Sequence, residues 1–244
     1  MAGVTPDSPF PIDIRIRKRS RLMEVEFSDG ARFELPFEFL RVHSPSAEVR
    51  GHGEGQEVLQ TGKRRVEITA VESVGSYAVK LVFSDGHSSG LYSWDVLYRL
   101  GSRQDELWAD YLHKLSRTLV DTYDVVVLED LRVRNMTRRP KPLPDNAPNG
   151  AAAKAGLNKS ILDAGWTALA GMIQYKAESA GADVIFVAAA NTSRTCHACG
   201  HVDAGNRRGE VFLCQRCGHS AHADTNAALN ILRLGLSRHA AQAA

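Results

Sequence analysis

The stretches TCHACGH (residues 195–201) and LCQRCGH (residues 213–219) hold all four cysteines of the chain, as two C-x-x-C pairs separated by fourteen residues. Each pair is followed by a glycine, Gly200 or Gly218, which lets the backbone turn tightly and aim its amides at the sulfurs. Four thiolates at this spacing can close a tetrahedron around one zinc ion. Cys196, Cys199, Cys214 and Cys217 are therefore read as a structural site that folds the segment 195–220 and leaves no open coordination position. Two alternatives stand beside this reading. Disulfide pairing suits a secreted chain, and His197, His201, His219 or His222 could each replace a sulfur, although the cysteine set is already complete.

The two halves of the 244-residue chain differ in charge. Residues 1–112 hold 14 Lys+Arg against 17 Asp+Glu, a net of −3, and residues 113–244 hold 16 against 11, a net of +5. The basic half is the half that carries the cysteines, which points to a phosphate-bearing partner, DNA and RNA being the candidates. The opening residues MAGVTPDSPF lack a basic segment followed by an apolar run, and the longest later apolar stretch, 184–190, is too short to span a bilayer. The expectation is a cytoplasmic protein with no membrane partner, whose reduced thiols are available for zinc.

In the first half, IDIRIRK (12–18) and LMEVEF (22–27) alternate as strands do, and Ser28-Asp29-Gly30 supplies a turn into a return strand at 32–35. The phrase recurs 56 residues later. VKLVFSDGHSSGLYSWDVLYRL (79–100) repeats strand, SDG turn, return strand and short helix, the helices carrying Leu40 and Arg41, then Leu97 and Arg99; a further strand is expected at 65–71. An α+β module of two hairpins with short helices follows, with Asp29 and Asp85 as turn residues.

This pattern, through LWADYL, resembles the gamma-butyrobetaine hydroxylase-like N-terminal domain family over about residues 12–112. Zinc-binding members of that family use a C-x-C-x-x-C cluster after the first helix and a His after the second SDG, so the resemblance implies a ligand set at Ser44, Ser46, Val49 and His87. Only His87 is retained here, and a lone imidazole holds no structural zinc. His87 is read as a packing or hydrogen-bonding residue. The oxygenase domain that this module can precede is absent from the 244 residues, so the resemblance implies no hydroxylase activity.

The second half, 113–244, is expected to begin within a helix at 106–123, whose apolar residues recur every four positions. A buried strand at 125–128 ends in Glu129-Asp130, and the segment 132–150 reads as a basic loop with Arg132, Arg134, Arg138, Arg139 and Lys141. A helix at 159–180, a strand at 184–187, the cysteine segment (192–222) and a helix ending near Gly235 complete the pattern, with Asp224 at the start of the last helix. Glu129 and Asp224 are carboxylates at a strand end and a helix start, where they could share divalent metal; the bland alternatives are a solvent-facing strand end and an N-cap.

The ordered phrases VVVLEDLRVRNM, LNKSILDAGWTALAGMIQYKAESAGADVIFV, NTSRTCHACG, FLCQRCGH and HADTNAALNIL closely resemble the carboxyl-terminal half of OrfB/TnpB-type insertion-sequence proteins, over about 113–235. The resemblance implies an RNase H-like (RuvC) α/β fold with an inserted zinc ribbon, and RNA-guided cleavage of DNA with Mg²⁺ or Mn²⁺. It also implies three catalytic acids, of which Glu129 matches the second and Asp224 the third. The first, an Asp in a G-[ILV]-D-x-G context, is nowhere in the 244 residues, and the RuvC part is therefore expected to be incomplete. Three functions compete. The first is a transposon-derived protein that binds nucleic acid without cutting it, through the zinc ribbon, the basic loop, and Arg207 and Arg208 between the cysteine pairs. The second is a metal-dependent endonuclease completed by a partner, and the third is an interaction module acting through its first domain.

Overall fold

The computed structural model describes residues 8–51, 56–131 and 165–242, which fall into two compact units, Met1–Leu115 and Ser116–Ala244. In the first unit, β1 (Pro11–Arg17), β2 (Leu22–Phe27) and β3 (Arg32–Pro36) form one antiparallel sheet. A second is formed by β4 (Ile68–Val74), β5 (Ala78–Phe83) and β6 (Leu91–Ser93). Each expected hairpin is thus extended by one strand. The SDG turns are closed identically: Gly30 N–H donates to Phe27 O and Phe27 N–H to Ala31 O, while Gly86 donates to Phe83 and Phe83 to His87, all at 2.9–3.1 Å.

Alternation along the strands sends one face inward, and Met23, Val25, Phe27, Leu35, Leu81 and Phe83 are buried with Leu40 and Leu97 from the helices α1 (Phe37–Val42) and α3 (Trp94–Ser102). Each such side chain stabilises the unit by roughly 1.5–3 kcal/mol. The turn aspartates do more than turn. Asp29 accepts the Ala31 N–H at 3.0 Å and the Tyr98 hydroxyl at 2.7 Å, so the second helix grips the first turn. Asp85 accepts Arg41 Nε at 2.9 Å and Lys63 Nζ at 2.7 Å, so the first helix grips the second turn. Arg41 is only 2% exposed, and leaving its charge unpaired would be strongly destabilising. The repeat is therefore locked by exchange between its halves.

After α1 the chain makes a short helix, α2 (Ala47–Arg50). His43, between them, packs its ring at a 58° tilt against Phe39, 4.6 Å between ring centroids, and its Nε2 is buried with no hydrogen-bond partner. Burial, followed by the nearby Lys114 and Arg99 charges, pushes its pKa down to about 4. The folded pKa lies below the unfolded value near 6.5, so the neutral ring contributes its full stability above about pH 6.5, and this is lost as pH falls toward 4. His43→Phe is expected to flatten the acid limb of the stability curve by on the order of 2 kcal/mol. Equilibrium denaturation of the full chain at pH 7 and pH 4.5 measures it, and an equal acid loss in both proteins contradicts it.

The helix α4 (Gln104–Thr122) begins in the first unit and ends in the second, where β7 (Val125–Asp130) pairs in parallel with β8 (Asp183–Ala188). Between them in sequence lies α5 (Trp166–Ala180), so the described residues make a β-α-β unit. Val120, Ile173 and Ala177 are buried against Val126, Leu128 and Val184, which supplies one face of the pair. The last helix, α6 (Ala223–Gln242), runs past the expected stop at Gly235. The reason is steric: a Cβ at residue 235 would lie 2.4 Å from both methyls of Val127, so this glycine lets α6 approach β7 rather than ending the helix.

Candidate metal centre and nucleic-acid interface

The two cysteine pairs are built alike. Gly200 N–H donates to Cys196 O at 2.8 Å and Gly218 N–H to Cys214 O at 3.0 Å, while Cys196 N–H meets His201 O and Cys214 N–H meets His219 O at 2.8 and 2.9 Å. Both glycines sit at positive φ, 74° and 72°, where a side chain would be strained. The sulfurs converge. Cys196 Sγ lies 3.7 Å from Cys217 Sγ, Cys199 Sγ lies 3.7 Å from Cys214 Sγ, and all four fall within 4.8 Å of one another. A tetrahedron with metal–sulfur bonds of about 2.3 Å has edges of about 3.8 Å, so the spacing fits a bound zinc. Disulfides need about 2.05 Å, and all four cysteines are free.

The thiols are electrostatically unequal. Burial opposes ionisation of Cys214, yet the backbone N–H groups of Cys217 and Arg216 and the adjacent thiols outweigh it and draw the pKa down to about 6. For Cys217 the His219 N–H works downward, but the thiols of Cys199, Cys214 and Cys196, together with burial, push it up to about 12. Four touching sulfurs cannot all carry negative charge by themselves. A divalent cation at their centre removes that obstacle.

Around the centre, β9 (Arg207–Arg208), β10 (Val211–Leu213) and β11 (Ser220–His222) form a small antiparallel sheet. Phe212 is buried with Cys196, Cys214 and Ala223, an apolar set too small to hold the segment alone. Three buried asparagines complete it, and the sequence did not single them out. Asn206 Nδ2 donates to Arg194 O at 2.9 Å, while its Oδ1 accepts the Gln215 N–H at 2.8 Å. Asn226, on α6, accepts the His197 N–H at 3.0 Å and donates to Thr195 O at 2.8 Å. One turn further, Asn230 donates to Thr192 O and Thr195 O at 3.0 and 2.7 Å. Their i, i+4 spacing in DTNAALN was the available signal.

Glu129 stands at the end of β7, where it accepts the Thr192 hydroxyl at 2.5 Å. Asp224, in the first turn of α6, accepts Arg207 at 3.4 Å, and its own backbone N–H donates to His222 Nδ1 at 3.2 Å. Among the described residues the sole gathering of three or more His, Cys, Asp or Glu ligands is the cysteine cluster, and neither carboxylate belongs to it. Arg207 faces Asp224, whereas Arg208 is exposed, as are Arg194 and Arg216, two further cations of the same segment that sequence reasoning left out. Arg132, Arg134, Arg138, Arg139 and Lys141 lie outside the described residues.

In the first unit, Ser44 and His87 do meet. Ser44 Oγ lies 2.8 Å from His87 Nε2, and His87 Nδ1 lies 2.9 Å from Glu48 Oε2. Ser44 and His87 are buried, and a Cβ at Gly90 would sit 2.2 Å from Ser44 Oγ. The imidazole is thus satisfied on both nitrogens by a serine and a carboxylate, as its hydrogen-bonding reading expected.

Residues 14–98 match the family model for the gamma-butyrobetaine hydroxylase-like N-terminal domain, and residues 166–231 match that for the Cas12f1-like TNB domain. Over 140 residues the chain is 39% identical to InsQ of Escherichia coli (strain K12), provisionally assigned as an RNA-guided DNA endonuclease, covering 57% of this chain and 35% of InsQ. Over 60 residues it is 52% identical to the CRISPR-associated endodeoxyribonuclease Cas12f1 of Sulfoacidibacillus thermotolerans, covering 24% and 14%. The TnpB-like protein L79 of Acanthamoeba polyphaga mimivirus is 27% identical over 128 residues, 52% of this chain and 22% of its own. The two matches support a chimera of these domains. The crystal structure of a protein of unknown function from Acidithiobacillus ferrooxidans, of the DUF971 family, aligns at 42% identity over 37% of this chain and 91% of that one, with a TM-score of 0.32. The TnpB-type part spans about a third or less of the length of these curated relatives. Within it, the Cas12f1-like match takes in α5, β8, all four cysteines and the asparagines of α6.

Proposed function

We propose that the chain is a transposon-derived, zinc-stapled protein that binds DNA and RNA without cleaving them. The observation that carries this reading is the cluster of four cysteine sulfurs, two pairs of them 3.7 Å apart and all within 4.8 Å, anchored to α6 by Asn226 and Asn230 in a segment that also exposes Arg194, Arg208 and Arg216. Zinc would be held by Cys196, Cys199, Cys214 and Cys217, supplying folding energy rather than chemistry. Phosphate contacts are assigned to Arg208 and to the loop cations Arg132, Arg134, Arg138, Arg139 and Lys141; Arg207 joins them on release from Asp224. Neutralising Arg132, Arg134, Arg138 and Arg139 together is expected to weaken binding to all sequences alike and to flatten its salt dependence. An unchanged slope in a salt titration removes the loop from the interface.

The RuvC reading of the β-α-β unit places Glu129 and Asp224 as two of three metal-binding acids. Hydrolysis by two metal ions needs the third, and here Glu129 is bonded to Thr192 and Asp224 to Arg207. Full-length protein with Mg²⁺ or Mn²⁺ is expected to leave single- and double-stranded DNA intact, with or without added RNA. Cleavage that disappears in Glu129→Gln favours the second reading, an endonuclease whose acid set is completed by a partner.

A further inference from the structure

The first unit contains a cleft that neither its hairpins nor the cysteine centre uses. It has a volume of about 730 Å³, in the range of small-molecule sites. Its apolar lining comes from Val49, Val58, Leu100, Leu107 and the ring of Tyr111. At its edge stand four cations, and their pairing is uneven. Lys114 is bonded to Glu57 at 2.5 Å, and Arg103 to Glu106 at 2.5 Å with Asp110 also near it. Arg50 and Arg99, by contrast, take part in no ion pair with a described carboxylate, and each is exposed toward the cleft. Partial burial and then the nearby Arg99 charge hold the Arg50 pKa below its ordinary value, while Glu57 works the other way. His43 lines the same cleft, and its Nε2 has no partner.

Arg50 and Arg99 line the cleft together with Arg103 and Lys114, and these four cations outnumber the two carboxylates of the lining, Glu57 and Asp110; such a wall beside apolar side chains is matched by an oxyanion attached to an apolar body. The guanidinium fork binds such an acid group through paired N–H donors, and the loss of water from the apolar body adds to the affinity. We propose that this cleft binds a small amphiphilic anion, with its carboxylate or phosphate on Arg50 and Arg99 and its hydrocarbon portion over Leu100 and Leu107. Nothing in the nucleic-acid reading requires this site, so the two stand or fall separately.

Isothermal titration of the full chain with sodium decanoate, decyl phosphate and uncharged decanol tests it. Saturable one-to-one binding is expected for at least one of the two anions, weakened tenfold or more in Arg50→Gln/Arg99→Gln and for decanol. Preference between decanoate and decyl phosphate identifies which acid group the cleft takes. Arg15→Gln, an exposed cation of β1 outside the cleft, is expected to bind as the original does. The proposal is overturned if neither anion binds, if the double variant binds as tightly as the original, or if Arg15→Gln weakens binding equally.

Discussion

Replacing Cys196 and Cys214 with serine is expected to take the metal content of the full chain from one zinc to none and to unfold the small sheet β9–β10–β11. Each cysteine pair loses one sulfur, and the two lost ligands are the buried ones. The remaining apolar set is Phe212 and Ala223, which cannot stabilise a sheet of strands two or three residues long. Structural zinc sites contribute roughly 10–16 kcal/mol of apparent binding energy, so the loss should be total rather than graded. Metal analysis gives the stoichiometry, and amide exchange over residues 204–222 reports the unfolding. Zinc retained near one per chain in the double variant means that another site exists. The Ser44–His87–Glu48 chain is a poor candidate, because both imidazole nitrogens are already engaged.

The second large effect is expected at Gly235. Leucine there must place its Cβ where the methyls of Val127 lie, 2.4 Å away, so α6 has to lift from β7. Overpacking of this kind costs typically 1–3 kcal/mol and more when backbone must move. We expect Gly235→Leu to lose about 3 kcal/mol in denaturant unfolding, and Val127→Ala in the same chain to recover a substantial part of it. Additive losses in the double variant would show that the two residues do not meet.

Much of the organisation was legible in the sequence because it rests on local chemistry. The C-x-x-C-G-H phrases specify their own turns, and the two FSDG phrases specify the same hydrogen-bonded closure 56 residues apart. What the sequence hid was set by distant partners. Asp85 reads as a turn residue, and only the fold shows it holding Arg41 from the other repeat. Gly235 reads as a helix stop because glycine commonly is one, whereas its packing against Val127 is a tertiary fact. Asn226 and Asn230 look like ordinary polar helix residues until their amides are found on Thr195 and His197. Asp224 reads as an N-cap candidate in the sequence; in the fold its carboxylate faces Arg207, and the imidazole of His222 receives its backbone N–H.

A metal-folded cysteine module that presents cations to nucleic acid should lose its affinity together with its metal. The most direct measurement is the affinity of the full chain for labelled duplex DNA and single-stranded RNA, over a series of salt concentrations, with zinc bound and in the Cys196→Ser/Cys214→Ser variant. Log affinity of the zinc form is expected to fall linearly against log salt, and the variant to bind at least tenfold more weakly with a shallower slope. Equal affinity and slope in the two proteins, or no binding by the zinc form at low salt, would contradict it.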